Sequence, residues 1–403
     1  METQEHSVAL SAAKGIEVAR LEKELTAMWS TATEGRGDDG DEGREDAAAS
    51  GVTRACVLNL VACTLHPDSR AKVDEALDDV IKQHPARMLV LVIDLHGAPK
   101  LDAYVSTRCQ LSSKGAKQIC GEQITIEAGG VAGETLASAV APLLIPDVPV
   151  FLWWKDVPDF DDKLFQRLAA TADRVVIDST SFVQPDENFL RLAEVINAPQ
   201  SKLKLSDLSW GQLTAWRTLL ASFWDVPEYR THLDQIDRLE IIYEQPDASS
   251  GAITLRALLV VGWLSAQLGW QAEPLEVVRE DDALRFTMQT GARRLVSVRL
   301  RATPTGEAGE PRILAISLTS SAGAEARFHV ALRPEGTKLV TGISIGGEEL
   351  AVGRVLPYEV RREGERLSRE LSFLARDAAY EKAVKAAAHL VGAMRQRQIT
   401  MKH

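Results

Sequence analysis

Apolar positions first recur at helical spacing. Ile16, Leu21, Leu25, Met28 and Trp29 fall roughly on one face and predict an amphipathic helix over residues 16–29. The period then shifts. Residues 54–64 are apolar and β-branched, and residues 88–95 form an apolar run interrupted only by Asp94, the pattern of a strand buried on both faces. Between them Val73, Leu77, Val80 and Ile81 mark a helix within residues 69–83. Residues 101–111 and 118–128 predict two strands about a tight Lys114-Gly115 turn. A helix over 133–144, a strand over 149–154, a helix over 161–172, a strand over 174–178 and a helix over 186–197 follow. Strands alternating with helices predict an α/β layer, and the hairpin makes its sheet mixed.

The pattern changes after a linker at residues 198–201. Residues 206–224 predict a helix with Asp207 near its start, and 238–243 a strand. Residues 252–268 are apolar almost all round and predict a buried helix. Short β patterns recur at 276–279, 284–290, 294–301, 313–319, 326–332, 338–345 and 350–356, separated by turn residues, and predict an antiparallel meander. One long helix is predicted from about residue 365 to 394, with Leu367, Leu371, Leu374, Ala378 and Val391 on its packing face. The expected organisation is a helix and acidic linker (1–50), an α/β N-terminal domain with a mixed sheet (51–200), and an α+β C-terminal domain (201–403). The last carries a mainly antiparallel sheet and a long C-terminal helix.

Charge sharpens this division. The chain has 403 residues, is 45% hydrophobic and carries a formal net charge of -11. Residues 33–50 hold seven acidic and two basic residues, nearly half of that charge, and no apolar side chain larger than Ala. Such a segment cannot repay its ordering entropy and is expected to be a disordered linker. The acidic balance argues against nonspecific nucleic-acid binding, which needs a basic face. Residues 1–11 have no apolar signal core, and the longest apolar stretch, 257–264, is too short to span a bilayer. Four cysteines are too few for a disulfide-built secreted scaffold. A cytoplasmic protein is expected.

No catalytic motif survives its context. The eight histidines include no His-x-x-x-His pair, and there is no Cys-x-x-Cys, so no metal site is expected. The glycine loop from Gly129 to Gly133 lies between a strand and a helix, but Glu134 stands where a phosphate loop needs Lys. The match of Gly342-Ile343-Ser344-Ile345-Gly346 to a nucleophile elbow leads into a further strand rather than a helix. The clusters Asp159-Phe160-Asp161-Asp162 and Glu280-Asp281-Asp282 read as solvated turns. Asp178, at the carboxyl end of a strand, is a ligand candidate. With a two-residue Lys114-Gly115 loop, positions summing to 229 face one another, so Cys109 opposes Cys120. Counting outward from the turn makes this a hydrogen-bonded pair with a Cα separation of ~5.5 Å, within disulfide range. It is a possible redox pair; two buried thiols are the alternative. Trp153 and Trp154 point to opposite faces of their strand, so one is exposed or covers an adjoining helix. Trp210, Trp216 and Trp224 share the next helix with Arg217. These are interface hot-spot types, unless they join domains.

The run Leu143-Leu144-Ile145-Pro146-Asp147-Val148-Pro149-Val150-Phe151-Leu152-Trp153-Trp154 resembles the signature of the OpcA family, with Val148 for a more usual Leu. These are glucose-6-phosphate dehydrogenase assembly proteins, also described as its allosteric activators. Other segments agree in order: the strand from Arg54 to Leu60, His84-Pro85-Ala86-Arg87, Cys120-Gly121-Glu122-Gln123-Ile124 (with Gly121 for Ser), Val176-Ile177-Asp178-Ser179, Leu208-Ser209-Trp210 with Thr214-Ala215-Trp216-Arg217, and Val261-Gly262-Trp263-Leu264. The resemblance covers most of residues 10–270. It implies an N-terminal and a C-terminal domain, no catalytic activity and no cofactor. It also implies a role in binding glucose-6-phosphate dehydrogenase, favouring its active oligomer and stimulating the NADP-linked first step of the oxidative pentose phosphate pathway. Asp147, Trp153, Trp154, Asp178, Trp210, Trp216 and Arg217 are the candidate partner or ligand contacts. The alternative is a sugar-phosphate or nucleotide-binding enzyme using a crevice near Gly130 and Asp178.

Overall fold

The computed structural model describes residues 17–34, 52–109, 118–130, 133–182, 184–198, 202–245, 254–279, 283–304, 311–321, 323–350 and 353–400. The predicted acidic linker beyond residue 34, the Lys114-Gly115 turn, the Glu280-Asp281-Asp282 cluster, Val131-Ala132 of the glycine loop and residues 199–201 lie outside them. The chain forms two compact units, each assembled from separate segments. The first holds Met1–Ser181, Lys202–Leu208 and Arg361–Arg376; the second holds Phe182–Ser201, Ser209–Val360 and Asp377–His403.

The first unit is built on β1 (Val52–Arg54), β2 (Leu58–Thr64), β3 (Ala86–Asp94), β4 (Lys100–Cys109), β5 (Gln118–Gly129), β6 (Val150–Trp154), β7 (Arg174–Ile177) and β8 (Leu205–Asp207). The order is β1-β5-β3-β2-β6-β7-β8, with β4 on β5. Only the β4–β5 pairing is antiparallel, which is the mixed sheet expected from the hairpin. The chain runs outward from β2 to β3 and β5, then crosses back to β6 and continues to β7 and β8. The strand order therefore reverses between β2 and β6, a topological switch point.

Both faces of β2 and β3 are buried because both are covered. On one face Leu60, Met88, Val90, Phe151 and Trp153 pack with Val73, Ala76, Leu77 and Val80 of the helix Arg70–Val80, and with Leu367 and Leu371. The last two come from the helix Glu363–Glu370 and its cap. The helix Val18–Glu34 buries Leu21 and Leu25 completely, as its periodicity predicts.

The single long helix expected from about residue 365 is two helices, Glu363–Glu370 and Ala378–Thr400. Asp377 starts the second: its Oδ1 accepts the backbone N–H groups of Ala379 and Tyr380, at 3.0 and 2.9 Å. That is N-cap chemistry, which restarts a helix after a break. Leu374, expected on the packing face, is 42% exposed between them. The helix expected over 206–224 is likewise broken. Residues Leu205–Asp207 are β8, followed by Leu208–Gln212 and Thr214–Ser222.

The second unit contains β9 (Ile236–Gln245), β10 (Trp270–Arg279), β11 (Ala283–Thr290), β12 (Leu295–Pro304), β13 (Ile313–Ser320), β14 (Ala326–Leu332), β15 (Lys338–Ile345), β16 (Glu348–Leu350) and β17 (Val355–Pro357). Their order is β10-β11-β12-β9-β13-β14-β15-β16, with β17 also on β15. The sheet is mainly antiparallel, as expected, but it is not a simple meander. β9 inserts between β12 and β13 and runs parallel to β12. Leu239, Ile241 and Tyr243 give β9 one buried face, and burial pushes the Tyr243 hydroxyl pKa up to about 12.

The helix Leu255–Leu268, buried nearly all round as predicted, packs along Ala378–Thr400. Their closest approach is at Gly262, where a Cβ would lie 2.2 Å from the Ala383 carbonyl oxygen and 2.9 Å from the Ala387 Cβ. Gly262→Ala gains up to ~1 kcal/mol of helix propensity but forces the helices apart. We expect a net loss of about 1–2 kcal/mol from overpacking. Urea denaturation checks this; an unchanged or raised midpoint would contradict so close a packing.

Candidate functional site

The carboxyl ends of β2 and β6 flank the switch point, where open α/β sheets hold ligands. A dinucleotide site there needs a glycine-rich first turn with free backbone donors. This chain instead has Leu65-His66-Pro67. The Asp156 carboxylate fills the turn: its Oδ2 accepts the Leu65 N–H at 2.6 Å and the Thr64 hydroxyl at 3.0 Å. A negative group already occupies donors that would otherwise meet a phosphate. Beside it, Lys155 Nζ lies 2.6 and 2.7 Å from the two Glu363 oxygens. Cys63, at the end of β2, is fully buried; burial, then Asp156 and Asp162, push its thiol pKa well up. Burial of this kind disfavours the reactive thiolate.

Asp178 follows β7. Its Oδ1 accepts the Thr180 N–H and hydroxyl, at 3.1 and 2.7 Å, and its Oδ2 meets Arg366 Nη1 at 3.2 Å. Both members of this ion pair are about nine-tenths buried. The geometry anchors the helix Glu363–Glu370. Asp207, expected near a helix start, accepts the Ser179 N–H at 3.0 Å from the end of β8.

Gly130 follows β5. Four strand spacings separate β5 from β7 in the sheet, roughly 19 Å. Gly130 and Asp178 therefore do not line one crevice, which corrects that expectation. The glycines at β5 serve close backbone passage: a Cβ on Gly129 would sit 2.4 Å from the Ala98 carbonyl oxygen, and Gly130 has φ +54°. A neighbouring cavity of about 370 Å³ is lined by Arg70, Asp94, Lys100 and Glu127. Hydrogen bonds from Lys100 and Tyr104 lower the Glu127 pKa.

The tryptophans are interior. Trp153 and Trp154 are 0% and 1% exposed. Trp153 enters the core beneath the helix Arg70–Val80, and Trp154 meets Phe165 edge-on at 5.1 Å, covering the helix Lys163–Thr171. Neither indole is exposed. Trp210 and Trp216 are 4% and 1% exposed. Trp210 Nε1 donates to Asp377 at 2.7 Å, and the Arg217 guanidinium stacks 3.6 Å from the Trp210 ring centroid. Trp216 meets Tyr358 at 6.3 Å, and Trp224 meets Phe328 at 4.8 Å. Asp147 alone of the seven candidates is exposed; it occupies a turn with φ 62°, which Asp tolerates better than most residues. The structure thus brings Trp210 and Arg217 together in the second unit, while Asp147, Trp153, Trp154 and Asp178 belong to the first.

Other motifs resolve into local structure. Asp162 Oδ1 caps Lys163–Thr171 by accepting the Phe165 N–H at 2.9 Å. The Gly-x-Ser-x-Gly match lies on β15 and turns through Gly346 and Gly347, both at positive φ, into β16. It forms a hairpin.

Cys109 and Cys120 face each other across β4 and β5, in the register expected, and are joined by a disulfide. Their Cα separation is 4.0 Å, not ~5.5 Å. The reason is that the Cys120 carbonyl accepts the Ala55 N–H, at 3.2 Å, and so points away from β4. The two cysteines form a non-hydrogen-bonded pair, in which side chains lie closer. Under oxidising conditions, mass spectrometry after proteolysis should find one Cys109–Cys120 linked peptide. Two free thiols there would end the redox reading.

Sequence reasoning missed a buried charged cluster. Arg87, 4% exposed at the start of β3, donates through Nε to Glu122 at 2.8 Å and through Nη1 to Glu22 at 2.5 Å and the Leu143 carbonyl at 3.0 Å. Trp29 Nε1 also donates to Glu122, at 2.9 Å. The available signal was an Arg and a Glu on strands whose other residues are apolar. Asp156 carried a weaker signal, an acid two residues past a switch-point strand.

Among the described residues no group of acidic, His or Cys side chains could hold a metal ion, and no helix is long and apolar enough to cross a membrane. The first unit is therefore an α/β scaffold whose switch point is closed by its own carboxylate, and the second an α+β unit with a mainly antiparallel sheet. Residues 77–194 match the family described as the glucose-6-phosphate dehydrogenase subunit N-terminal domain, and residues 203–384 its C-terminal domain. The chain is 31% identical over 323 residues to the OxPP cycle protein OpcA of Synechococcus elongatus, covering 79% of this chain and 70% of the relative. It is 32% identical to OpcA of Nostoc punctiforme, covering 60% of this chain and 51% of that one. The chain belongs to the OpcA family. The solved structure of KijD10, a 3-ketoreductase from Actinomadura kijaniata with NADP, overlays at a TM-score of 0.43 and 10% identity, covering 84% of this chain and 96% of that one. Nothing about chemistry follows from so distant an overlay.

Proposed function

We propose that this protein is a non-catalytic assembly factor and allosteric activator of glucose-6-phosphate dehydrogenase, acting in the cytoplasm in the oxidative pentose phosphate pathway. Membership of the OpcA family, matched in both halves of the chain, carries the reading. The Asp156 plug at the switch point supports it against a nucleotide-using enzyme. So does the distance between Gly130 and Asp178. The two matched segments fall on either side of residue 200, in keeping with an N-terminal half over 51–200 and a C-terminal half over 201–403.

Activation is linkage. A tenfold shift of the dehydrogenase toward its active state requires this chain to bind that state about 1.4 kcal/mol more tightly than the other. The contact surface is to be sought first at exposed Asp147 and at Arg217. Purified chain added to the cognate dehydrogenase should raise its NADP-linked rate at subsaturating sugar phosphate and enlarge its oligomer on size exclusion. If neither quantity moves, the activator reading is wrong. Turnover by this chain alone, with sugar phosphate and NADP, would sink the non-catalytic reading.

A further inference from the structure

In the first unit, β2, the helix Arg70–Val80 and β3 form a βαβ motif that ends on Asp94, at the carboxyl edge of the sheet. Motifs of this kind that bind dinucleotides set an acid against a ribose hydroxyl. Asp156 closes the turn where the phosphates of such a ligand would sit. The ends of β3 and β5 are open. The cavity of about 370 Å³ lies there, within the roughly 300–1,000 Å³ of small-molecule sites. Val92, Ala98 and Ala128 line it together with four charged side chains, Arg70, Asp94, Lys100 and Glu127.

These four are not equally engaged. Glu127 Oε1 accepts from Arg70 at 3.2 Å and from the Tyr104 hydroxyl at 3.0 Å, and its Oε2 from Lys100 at 2.9 Å. Lys100 also meets Asp102 at 3.2 Å, and Arg70 meets Asp74 at 2.8 Å. Asp94 Oδ1 accepts the His96 N–H at 3.1 Å. Among the described residues its Oδ2 accepts no hydrogen bond and pairs with no cation. Gly97 leaves room for that oxygen, since a Cβ there would lie 2.6 Å from it. Arg70 and Lys100 in the lining would repel a cation. The surrounding charges oppose an anion: Arg70, Lys100 and Arg108 pair with Asp74, Asp78, Asp102 and Glu127, and Asp94 makes a fifth carboxylate against three cations. A neutral ligand that both donates and accepts fits instead. Adjacent hydroxyls do both, because a carboxylate oxygen accepts from O–H groups while guanidinium and ammonium N–H groups donate to their lone pairs.

We propose that this cavity binds the vicinal diol of a neutral sugar ring, either the ribose of a nucleoside or a free sugar. Asp94 Oδ2 accepts from the diol, and Arg70 and Lys100 donate to it. The site stands on the first unit's own sheet and does not depend on the dehydrogenase reading.

The test uses the full chain alone. Adenosine, 2′-deoxyadenosine, adenosine 5′-monophosphate and D-glucose are titrated by calorimetry at constant ionic strength. Adenosine or glucose should bind at millimolar concentration or below. Adenosine binding that falls about tenfold for 2′-deoxyadenosine identifies a ribose site. Glucose binding, with adenosine no tighter, identifies a free-sugar site. The 5′-phosphate should not tighten binding. Asp94→Asn keeps an acceptor for the His96 N–H but removes the charge, and should weaken binding by about tenfold. Gly97→Ala should do the same by displacing the Asp94 carboxylate, with little change in melting temperature, because its clash is with the end of a side chain. The proposal is overturned if neither adenosine nor glucose binds, or if 2′-deoxyadenosine binds as adenosine does. It also fails if the monophosphate binds more tightly than adenosine, or if both variants bind as the parent does.

Discussion

Arg87→Ala should destabilise the first unit by about 3–5 kcal/mol, since removing one partner of a buried ion pair leaves the other charge in low dielectric. Glu122 is 0% exposed and meets Arg87 Nη2 at 2.7 Å. Glu22 is 40% exposed, so Glu22→Ala should cost only about 0–1 kcal/mol. The same guanidinium also satisfies the Leu143 carbonyl, which opens the signature segment leading into β6. Replacing both partners, Arg87→Met with Glu122→Met, should recover most of the loss, because a well-packed apolar pair avoids both desolvation penalties. Urea denaturation of the four proteins gives the answer directly. A small effect from Arg87→Ala would mean that water reaches Glu122 and that the cluster is not an interior one.

Trp154→Ala should cost about 3–5 kcal/mol, the range for deleting a large buried aromatic side chain. Trp154 packs against Phe165, which itself meets Phe160 edge-on at 5.3 Å, so the deletion opens a cavity between β6 and the helix Lys163–Thr171. Trp153→Ala should cost as much on the opposite face. Trp154→Phe should be milder, at about 1–2 kcal/mol, because the Trp154 Nε1 is buried without a hydrogen-bond partner and its removal breaks no bond. Measurement by circular dichroism in urea separates folding from docking. If Trp154→Ala left stability intact but abolished activation of the dehydrogenase, the indole would be a partner contact and the interior assignment would be wrong.

The Trp153-Trp154 pair also shows how a motif can be legible while its role is not. The alternation of a strand places two adjacent indoles on opposite faces, and that was readable from two letters. Whether both faces are covered depends on which helices cross the sheet at β6. Arg70–Val80 covers the Trp153 face and Lys163–Thr171 the Trp154 face, and the first of these comes from a segment some 70 residues away. Cys109 and Cys120 give the same lesson in finer detail. Their opposition follows from counting about a turn, but their hydrogen-bond type is decided by Ala55, a residue of a different segment.

The break before Asp377 is a case where a local signal existed and a stronger periodic one masked it. An Asp before the run Ala378-Ala379-Tyr380 is a capping signal, yet Leu367, Leu371 and Leu374 continue the helical period across the break. Gly364 shows why the first helix stands separately. A Cβ there would lie 2.3 Å from the Ala76 carbonyl oxygen, so this segment is held tightly against the helix Arg70–Val80.

The sequence by itself determined what depends on neighbours in the chain: the kinds of elements, the buried faces of most helices and strands, the hairpin register and the family. Those follow from the 3.6- and 2-residue periods and from short motifs. Only the tertiary structure decided the strand order, the insertion of β9 beside β12, the burial of all four candidate tryptophans and the closure of the switch point by Asp156. It also decided that residues 361–376 belong to the first unit. Each of these rests on pairing between distant segments, whose hydrogen bonds and packing leave no period in either segment alone.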